Sequence, residues 1–291
     1  MVEHSAPQSP VPSGVLTLMA RVGFGARGAV YLLVGIFAVA AALGFGVAPR
    51  GTINILDAIS RHGLQTTIAA VIGLGVICLA AYFAMTGIWA CTKGRGAGRW
   101  LFAAGLGGDG LIYAAIGAST LGLVFGWHPN SEQETQMLTA QVLALPFGPL
   151  IVGIVGGLIV LCGIATTAWV LTADIDDDVA LPEYRKQIIE PVGRYGLAGR
   201  GVAISLVGLY WMSAAIHHTP SKAYELAGTL QSVERISHGW LLLLTLGLAF
   251  TASAVFDFVE ALYHNPTALR GHAKSRSAGR SPAKGQGHGL G

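Results

Sequence analysis

The chain has 291 residues, of which 53% are hydrophobic and 11% charged, with a formal net charge of +3. Soluble globular domains carry roughly 25% charged residues, so this composition excludes an ordinary soluble protein. The hydrophobic residues form long runs separated by short polar segments. This pattern is typical of a chain that lies in a lipid bilayer.

The first 17 residues form a polar segment that contains Glu3 and has no Lys or Arg. A cleavable signal peptide begins with a basic segment, so we do not expect cleavage here. We expect residues 1–17 to be a disordered tail, and the first apolar run to remain in the membrane as an anchor.

Six apolar runs follow, each near the length of roughly 20 residues that crosses the hydrocarbon. Because open sheet edges are excluded in lipid, the runs predict an all-α membrane fold with six transmembrane helices. All six tryptophans lie near the ends of these runs, where aromatic rings anchor helices at the lipid headgroups. In chain order, the predicted spans cover residues 28–46, 64–91, 101–127, 147–173, 201–216 and 240–263.

The Lys and Arg residues predict the direction of the chain in the membrane. Fourteen of the eighteen lie in the N-terminal flank, the second loop, the fourth loop and the C-terminal tail. Cytoplasmic segments of membrane proteins carry the excess of these residues, so we expect both termini in the cytoplasm.

Glycines recur in register along the odd-numbered helices, at offsets of 82 and then about 90 residues, and the even-numbered helices carry a further glycine at nearly the same offsets. A period of this size indicates three copies of a two-helix unit. Each copy crosses the membrane twice, so the copies are parallel repeats, and we expect pseudo-threefold symmetry. The matched glycines are Gly23, Gly105 and Gly196; Gly28, Gly110 and Gly201; Gly35, Gly117 and Gly208; and Gly75, Gly157 and Gly247.

The predicted membrane domain covers residues 18–265, with repeats at about 18–94, 99–173 and 190–265. Small residues let helices approach closely in lipid, so we interpret the glycine columns as packing positions. The alternative is that these glycines line a pore or permit a hinge.

The first repeat begins with a motif of Arg21, Arg27 and Tyr31 interleaved with glycines, and the third repeat begins with Arg194 and Arg200 at the same spacing. Over residues 18–265 this pattern resembles the bacterial integral-membrane family called "domain of unknown function 1206", whose members carry three such two-helix regions. The resemblance implies the six-helix architecture and the inner membrane of a bacterial cell. It brings no substrate and no catalytic residue.

The second repeat departs from this motif, because Asp109 occupies the column that holds Arg27 and Arg200 in the other two. Equivalent positions meet if they face a common axis, so these residues are a candidate axial charge cluster near the cytoplasmic membrane boundary. Tyr31 and Tyr113 are the candidate lining of a pathway. The alternative is that the arginines reach lipid phosphates while Asp109 stabilises the start of a helix.

Asp257 and Glu260 lie three residues apart on one face of the last helix, and the other repeats have uncharged residues there. These inner-end acids either bond the cytoplasmic arginines or relay protons. We favour the bonding role.

Five histidines fall at the external ends of the predicted helices, where they are weak candidates for binding a transition metal or sensing pH. No pair has the helical i, i+4 spacing of metal ligands, so we predict no metal site and no cofactor and interpret them as a solvated rim. They are His62, His128, His217, His218 and His238.

The tail at residues 266–291 is basic and rich in Gly and Ser. We expect it to be disordered and attracted to anionic lipid headgroups. It has no interleaved aromatic residues, so nucleic acid is not an expected partner. The lipid bilayer is the expected partner, and protein partners or a homo-oligomer remain open.

The sequence contains none of the common nucleophile, metalloprotease or nucleotide-binding motifs, so we do not predict an enzyme. The few charges inside the spans and the many small packing residues favour a structural or regulatory membrane component. The alternative is a small-solute transporter or channel with a central axial pathway.

Overall fold

The computed structural model describes residues 13–46, 65–93, 98–125, 131–172 and 183–263, and within these ranges every regular element is helical. The all-α class predicted from the sequence is therefore confirmed. The eight α-helices among the described residues are α1 (Ser13–Ala42), α2 (Gln65–Lys93), α3 (Gly98–Val124), α4 (Ser131–Leu143), α5 (Gly148–Thr172), α6 (Glu183–Ile216), α7 (Leu226–Glu234) and α8 (Gly239–Tyr263), with a 3₁₀ turn at Pro220–Lys222.

Five of the described helices, α1, α2, α5, α6 and α8, are long and apolar enough to cross a membrane. The chain is thus a multi-pass membrane protein by the length and composition of its helices. The predicted third span corresponds to α3, which has 27 residues but is not one of these five. It contains Asp109 and seven glycines, and both features lower its hydropathy.

Two helices begin much earlier than the sequence predicted. Helix α1 starts at Ser13, inside the segment expected to be a tail, and α6 starts at Glu183. At 1.5 Å per residue, Arg27 lies about 21 Å along α1 and Arg200 about 26 Å along α6. Both arginines lie inside the helices that contain the candidate spans Gly14–Ala42 and Ile189–Ile216, whereas the predicted spans begin just after them, at residues 28 and 201.

The long helices pack in three close pairs: α1 against α8, α2 against α3, and α5 against α6. Further contacts join α1 to α2 and α6 to α8. The resulting order around the bundle is α3, α2, α1, α8, α6, α5. Between the described residues of α3 and α5 there is scarcely any contact, so the bundle is open along that side.

The three close pairs share one glycine geometry. In each pair, a methyl group on the glycine of the odd-numbered predicted span would lie 2.7 to 3.2 Å from a glycine carbonyl oxygen of the partner, and equally close to the backbone nitrogen four residues further on. Only glycine permits this approach of the two backbones. The contacts are Gly35 with Gly247 and Thr251, Gly117 with Gly73 and Ile77, and Gly208 with Gly156 and Val160.

These contacts correct one glycine column. The sequence matched Gly75 and Gly157 with Gly247, whereas the residues in equivalent contacts are Gly73 and Gly156. A methyl group on Gly157 would have no neighbouring atom within 4 Å. A shift of one or two residues turns a position onto a different helix face, so near-matching offsets were too coarse to select the packed glycine.

Candidate functional site

An ion pair between α1 and α8 lies at the centre of the site. The Arg27 guanidinium donates from Nε to Asp257 Oδ2 at 3.0 Å and from Nη2 to Asp257 Oδ1 at 2.5 Å. Glu260 Oε2 lies 3.5 Å from the same Nη2. Asp257 is fully buried and Arg27 is only 8% exposed, so this forked pair belongs to the interior of the bundle.

The sequence next to Arg27 explains why the two helices come so close. A methyl group on Gly28 would lie 3.2 Å from both the Ala254 carbonyl oxygen and Asp257 Cβ. The absence of a side chain at Gly28 therefore brings the Arg27 side chain within reach of the Asp257 carboxylate.

Aromatic rings enclose the guanidinium of Arg27. Its carbon Cζ lies 4.7 Å from the centre of the Phe24 ring and 5.9 Å from that of Tyr113. The Phe83 ring stacks on Tyr113 with centroids 5.7 Å apart and meets Phe24 edge to face at 6.3 Å. Rings at these distances stabilise a cation through their negative faces.

Arg200 on α6 has different neighbours, although it occupies the same motif position as Arg27. Its Nη2 donates to the Tyr113 hydroxyl at 3.2 Å, and its Cζ lies 4.5 Å above the Tyr31 ring. The hydroxyls of Tyr31 and Tyr113 lie 3.3 Å apart. Among the residues that the structure describes, no carboxylate lies within 4.0 Å of Arg200.

Asp109 precedes Tyr113 by four residues on α3, so the two side chains lie on one face of that helix. In the described part of the chain, Asp109 forms no ion pair within 4.0 Å, and its side chain is exposed. The structure therefore brings Arg27 and Arg200 to one tyrosine pair, and Asp257 rather than Asp109 is the close partner of Arg27.

Side chains from four of the described helices meet at one polar cluster, which we define as Arg27, Tyr31, Tyr113, Arg200 and Asp257. It joins α1, α3, α6 and α8. Two chemical properties follow from its contacts. The bidentate pair ties α1 to α8, and Arg200 retains donors that point to no carboxylate.

Three of the five histidines of the predicted rim lie among the described residues. His62 and His128 lie outside the described residues, as do the predicted tails before residue 13 and after residue 263. His217 and His218 follow α6, and His238 precedes α8. In the described ranges, no group of three or more His, Cys, Asp or Glu residues is placed to hold a metal ion.

The described histidines occupy turns. The backbone of His218 and His238 has positive φ angles of 50° and 65°, a conformation that favours short polar side chains and glycine. The ring of His217 lies 2.9 Å, through Nδ1, from the Ser213 carbonyl oxygen. The contact of His217 stabilises the last turn of α6.

Sequence reasoning missed the aromatic part of the cluster, above all Phe24 and Phe83. Phe24 belongs to the motif of the first repeat, but the matching positions in the other repeats are Leu106 and Leu197. The available signal was an aromatic residue that occurs in one repeat only, three positions before an arginine of the motif.

Comparison with known proteins identifies one family. The family described as "Domain of Unknown Function (DUF1206)" matches residues 104–173 and 195–264, which are two tandem segments that contain α3 to α5 and most of α6 to α8. "Uncharacterized protein YxxB" of Bacillus subtilis (strain 168) is 26% identical over 252 residues, which cover 85% of this chain and 90% of that protein. No solved structure matches the chain.

Proposed function

Because the chain belongs to the Domain of Unknown Function (DUF1206) family, whose name assigns no activity, we propose a function from the contacts of the polar cluster. The protein is a structural or regulatory component of the bacterial inner membrane. It is not an enzyme. It crosses the membrane six times as three parallel two-helix units around a pseudo-threefold axis, with both termini in the cytoplasm.

The glycine contacts support three units rather than two. The two segments that match the family contain α3 with α5 and α6 with α8. Residues of α1 and α2 make the same kind of glycine contact as those segments. Gly35 of α1 packs against α8, and Gly73 of α2 packs against α3. Each unit thus places its first helix on the second helix of the preceding unit, and the first unit packs on the third. This cyclic order is what a threefold ring requires.

The observation that carries the functional proposal is the Arg27–Asp257 pair. It connects the first helix to the last, and both side chains are buried among aromatic rings. A buried pair of this kind fixes which helices are neighbours, a role for which polar groups in membranes and coiled coils are known. A packed polar centre fits a rigid membrane component better than a water-filled channel.

The test of this role is to replace the pair as a unit. The double variant Arg27→Met with Asp257→Leu removes both charges and keeps apolar volume, so it should retain the fold and most of the thermal stability in lipid nanodiscs. Each single variant leaves one charge unpaired and should lower the melting temperature strongly. If the double variant is as unstable as the single variants, the pair does more than select neighbours.

Flux through the protein is the complementary measurement. Proteoliposomes that contain the wild-type chain should take up chloride, phosphate, amino acids and sugars no faster than protein-free liposomes. Saturable uptake of any of these solutes would overturn the structural proposal.

Small-solute transport is the second candidate, and Arg200 is the observation that favours it. A guanidinium inside a candidate span without a carboxylate partner is costly in a membrane. Transport proteins use such groups to bind substrate anions. Saturable uptake that Arg200→Gln abolishes, in a variant that stays folded, would support this alternative.

A further inference from the structure

In the first and third of the proposed units, the two helices of the unit touch each other. A methyl group on Gly23 of α1 would lie 2.6 Å from Leu79 Cβ of α2. A methyl group on Gly196 of α6 would lie 2.7 Å from Ser253 Cα of α8. Leu79 and Ser253 are both fully buried. Each of these units is therefore closed by a glycine of its first helix and a buried residue of its second helix.

A second contact closes the same two units about one helical turn away. In the first unit, a methyl group on Gly75 of α2 would lie 2.5 Å from Ala26 Cβ of α1. In the third unit, a methyl group on Gly199 of α6 would clash with Ala249 Cβ of α8. The glycine and the alanine have exchanged helices between the two units, yet the contact has the same place. Only small residues let two helices come this close.

The packed glycines between units fix which residues of the second unit correspond to these contacts. The first helices of successive units are offset by 82 and then 91 residues, and the second helices by 83 and then 91 residues. The glycines that give these offsets are Gly35, Gly117 and Gly208 on the first helices and Gly73, Gly156 and Gly247 on the second helices.

The second unit has the corresponding residues, but they are apart. Gly105 of α3 and Cys162 of α5 match the first contact, and Gly108 of α3 and Leu158 of α5 match the second. Among the described residues, no atom lies within 4 Å of a methyl group added to Gly105 or Gly108. Cys162 is exposed and Leu158 is 60% exposed. We call these four residues the seam.

The rest of the ring holds the two sides of the seam in place. Arg27 of α1 pairs with Asp257 of α8, so the first and third units are joined. Tyr113 of α3 accepts a hydrogen bond from Arg200 of α6 at 3.2 Å, and α6 packs closely on α5. Helices α3 and α5 therefore flank one gap in the ring, and its closure requires no exchange of neighbours.

We propose that the seam is a conformational switch, in which α3 moves against α5 so that Gly105 meets Cys162 and Gly108 meets Leu158. The structure has the open form, and the first and third units show the geometry of the closed form. Lipid is as apolar as the seam, so closure gains packing but no hydrophobic burial, and neither form is strongly favoured. This inference rests on the proposed three-unit arrangement and adds the part of it that moves.

The test is disulfide trapping in the full chain in lipid nanodiscs. The variant Gly105→Cys, combined with Cys78→Ala and Cys91→Ala, keeps Cys162 as the one partner for the new thiol. Disulfide Cβ atoms lie about 3.8 Å apart, and the equivalent Cβ positions in the closed first unit are 2.6 Å apart. Oxidation should therefore link residues 105 and 162 within one chain as the helices approach, which peptide mass spectrometry detects.

Two controls bracket this result. Gly107→Cys on the same background is equally uncovered, but two residues turn it by about 200° around α3, so it should form no disulfide with Cys162. Gly196→Cys with Ser253→Cys, in a chain whose native cysteines are alanine, tests a contact that the structure already contains. This pair should form its disulfide readily.

A filled seam separates directed closure from random collision. Gly108→Leu, added to the Gly105→Cys chain, places a large side chain against Leu158 and should slow disulfide formation about tenfold, because an overpacked contact is unfavourable. Gly107→Leu adds the same side chain outside the seam and should leave the rate unchanged.

Three results would overturn the switch while the third-unit pair still forms its disulfide. The first is no disulfide between residues 105 and 162. The second is a disulfide only between two chains, which would mean that a second copy covers the seam. The third is an equal rate for Gly105→Cys and Gly107→Cys. Failure of the third-unit pair itself would instead contradict the three-unit arrangement, and the switch with it, so the two failures are distinguishable.

Discussion

Arg27 and Arg200 occupy the same position of a repeated motif, yet one is closed into an ion pair and the other is left open. Arg27 meets a carboxylate through two hydrogen bonds and lies on the side where α1 packs tightly against α8. Arg200 meets a tyrosine hydroxyl and a tyrosine ring, close to the side where α3 and α5 separate. The comparison teaches that the neighbouring helix, not the motif, decides what a membrane arginine does.

The difference follows from which helix supplies the acid. The helix packed on α1 carries Asp257, whereas the helix packed on α6 has Thr167 next to Gly201. Thr167 uses its hydroxyl to bond the Gly163 carbonyl oxygen of its own helix at 2.9 Å. Arg200 therefore has no acid from its packing partner, and it bonds the Tyr113 hydroxyl instead.

Removal of the acid on the closed side should have the largest effect. Asp257→Asn leaves Arg27 buried with only Glu260 nearby, at 3.5 Å, so the free energy of unfolding should fall by about 3 to 5 kcal/mol. Denaturation in nanodiscs measures the change. Glu190→Gln breaks the partly exposed pair with Arg194 and should change stability by about 0.5 kcal/mol or less. Equal losses in the two variants would contradict the distinction between a buried tie and a surface pair.

Tyr113→Phe tests the open side. The substitution removes the hydroxyl that accepts from Arg200 and contacts the Tyr31 hydroxyl, so a loss of about 1.5 to 3 kcal/mol is expected. Tyr31→Phe keeps the bond from Arg200 and should cost about 0.5 to 1.5 kcal/mol. The same denaturation measurement ranks the two variants. A larger loss at Tyr31 would mean that the tyrosine pair, and not Arg200, holds α3 in place.

Glycine substitutions compare the two sides without touching a charge. A methyl group on Gly35 would lie 2.8 Å from the Gly247 carbonyl oxygen, so Gly35→Ala should separate α1 from α8 and cost about 1 to 3 kcal/mol. Gly107→Ala places the same methyl group on an uncovered face of α3, where no atom lies within 4 Å. There the higher helix propensity of alanine should give no loss. Destabilisation at Gly107 would show that α3 is covered on that face.

The sequence predicted the helical class and most packing positions, because close backbone approach in lipid requires small residues at a fixed period. Gly35, Gly117 and Gly208 all lie at helix contacts for this reason. The starts of α1 and α6 were missed because Arg27 and Arg200 each interrupt an apolar run. Neither arginine interrupts its helix, since Arg27 pairs with a carboxylate and Arg200 bonds a tyrosine hydroxyl. These partners, 230 and 87 residues away, cannot be recognised from the local sequence.

The site was predicted in its members more than in its pairing. Asp257 and Glu260 were expected to bond the arginines, and the structure places both near Arg27. The repeat placed Asp109 in the same column as the two arginines, but a shared column fixes only the position along the helix. Whether the side chain meets its counterparts depends on how far α3 lies from α6, and that distance is set by packing on the open side.

The smallest change in stability is expected at the contact between α4 and the residue that precedes α7. Thr135 on α4 donates to Glu225 Oε1 at 2.6 Å, just before α7. Thr135→Val should lower stability by about 1 kcal/mol or less. Amide hydrogen exchange in α4 should accelerate, because in the described part of the chain α4 has few contacts beyond α5 and the 3₁₀ turn. Thr166→Val, at an exposed threonine that bonds only the Cys162 carbonyl oxygen of its own helix, is the matched control and should leave α4 exchange unchanged. If both variants leave α4 exchange unchanged, the bond from Thr135 to Glu225 does not hold α4 in place.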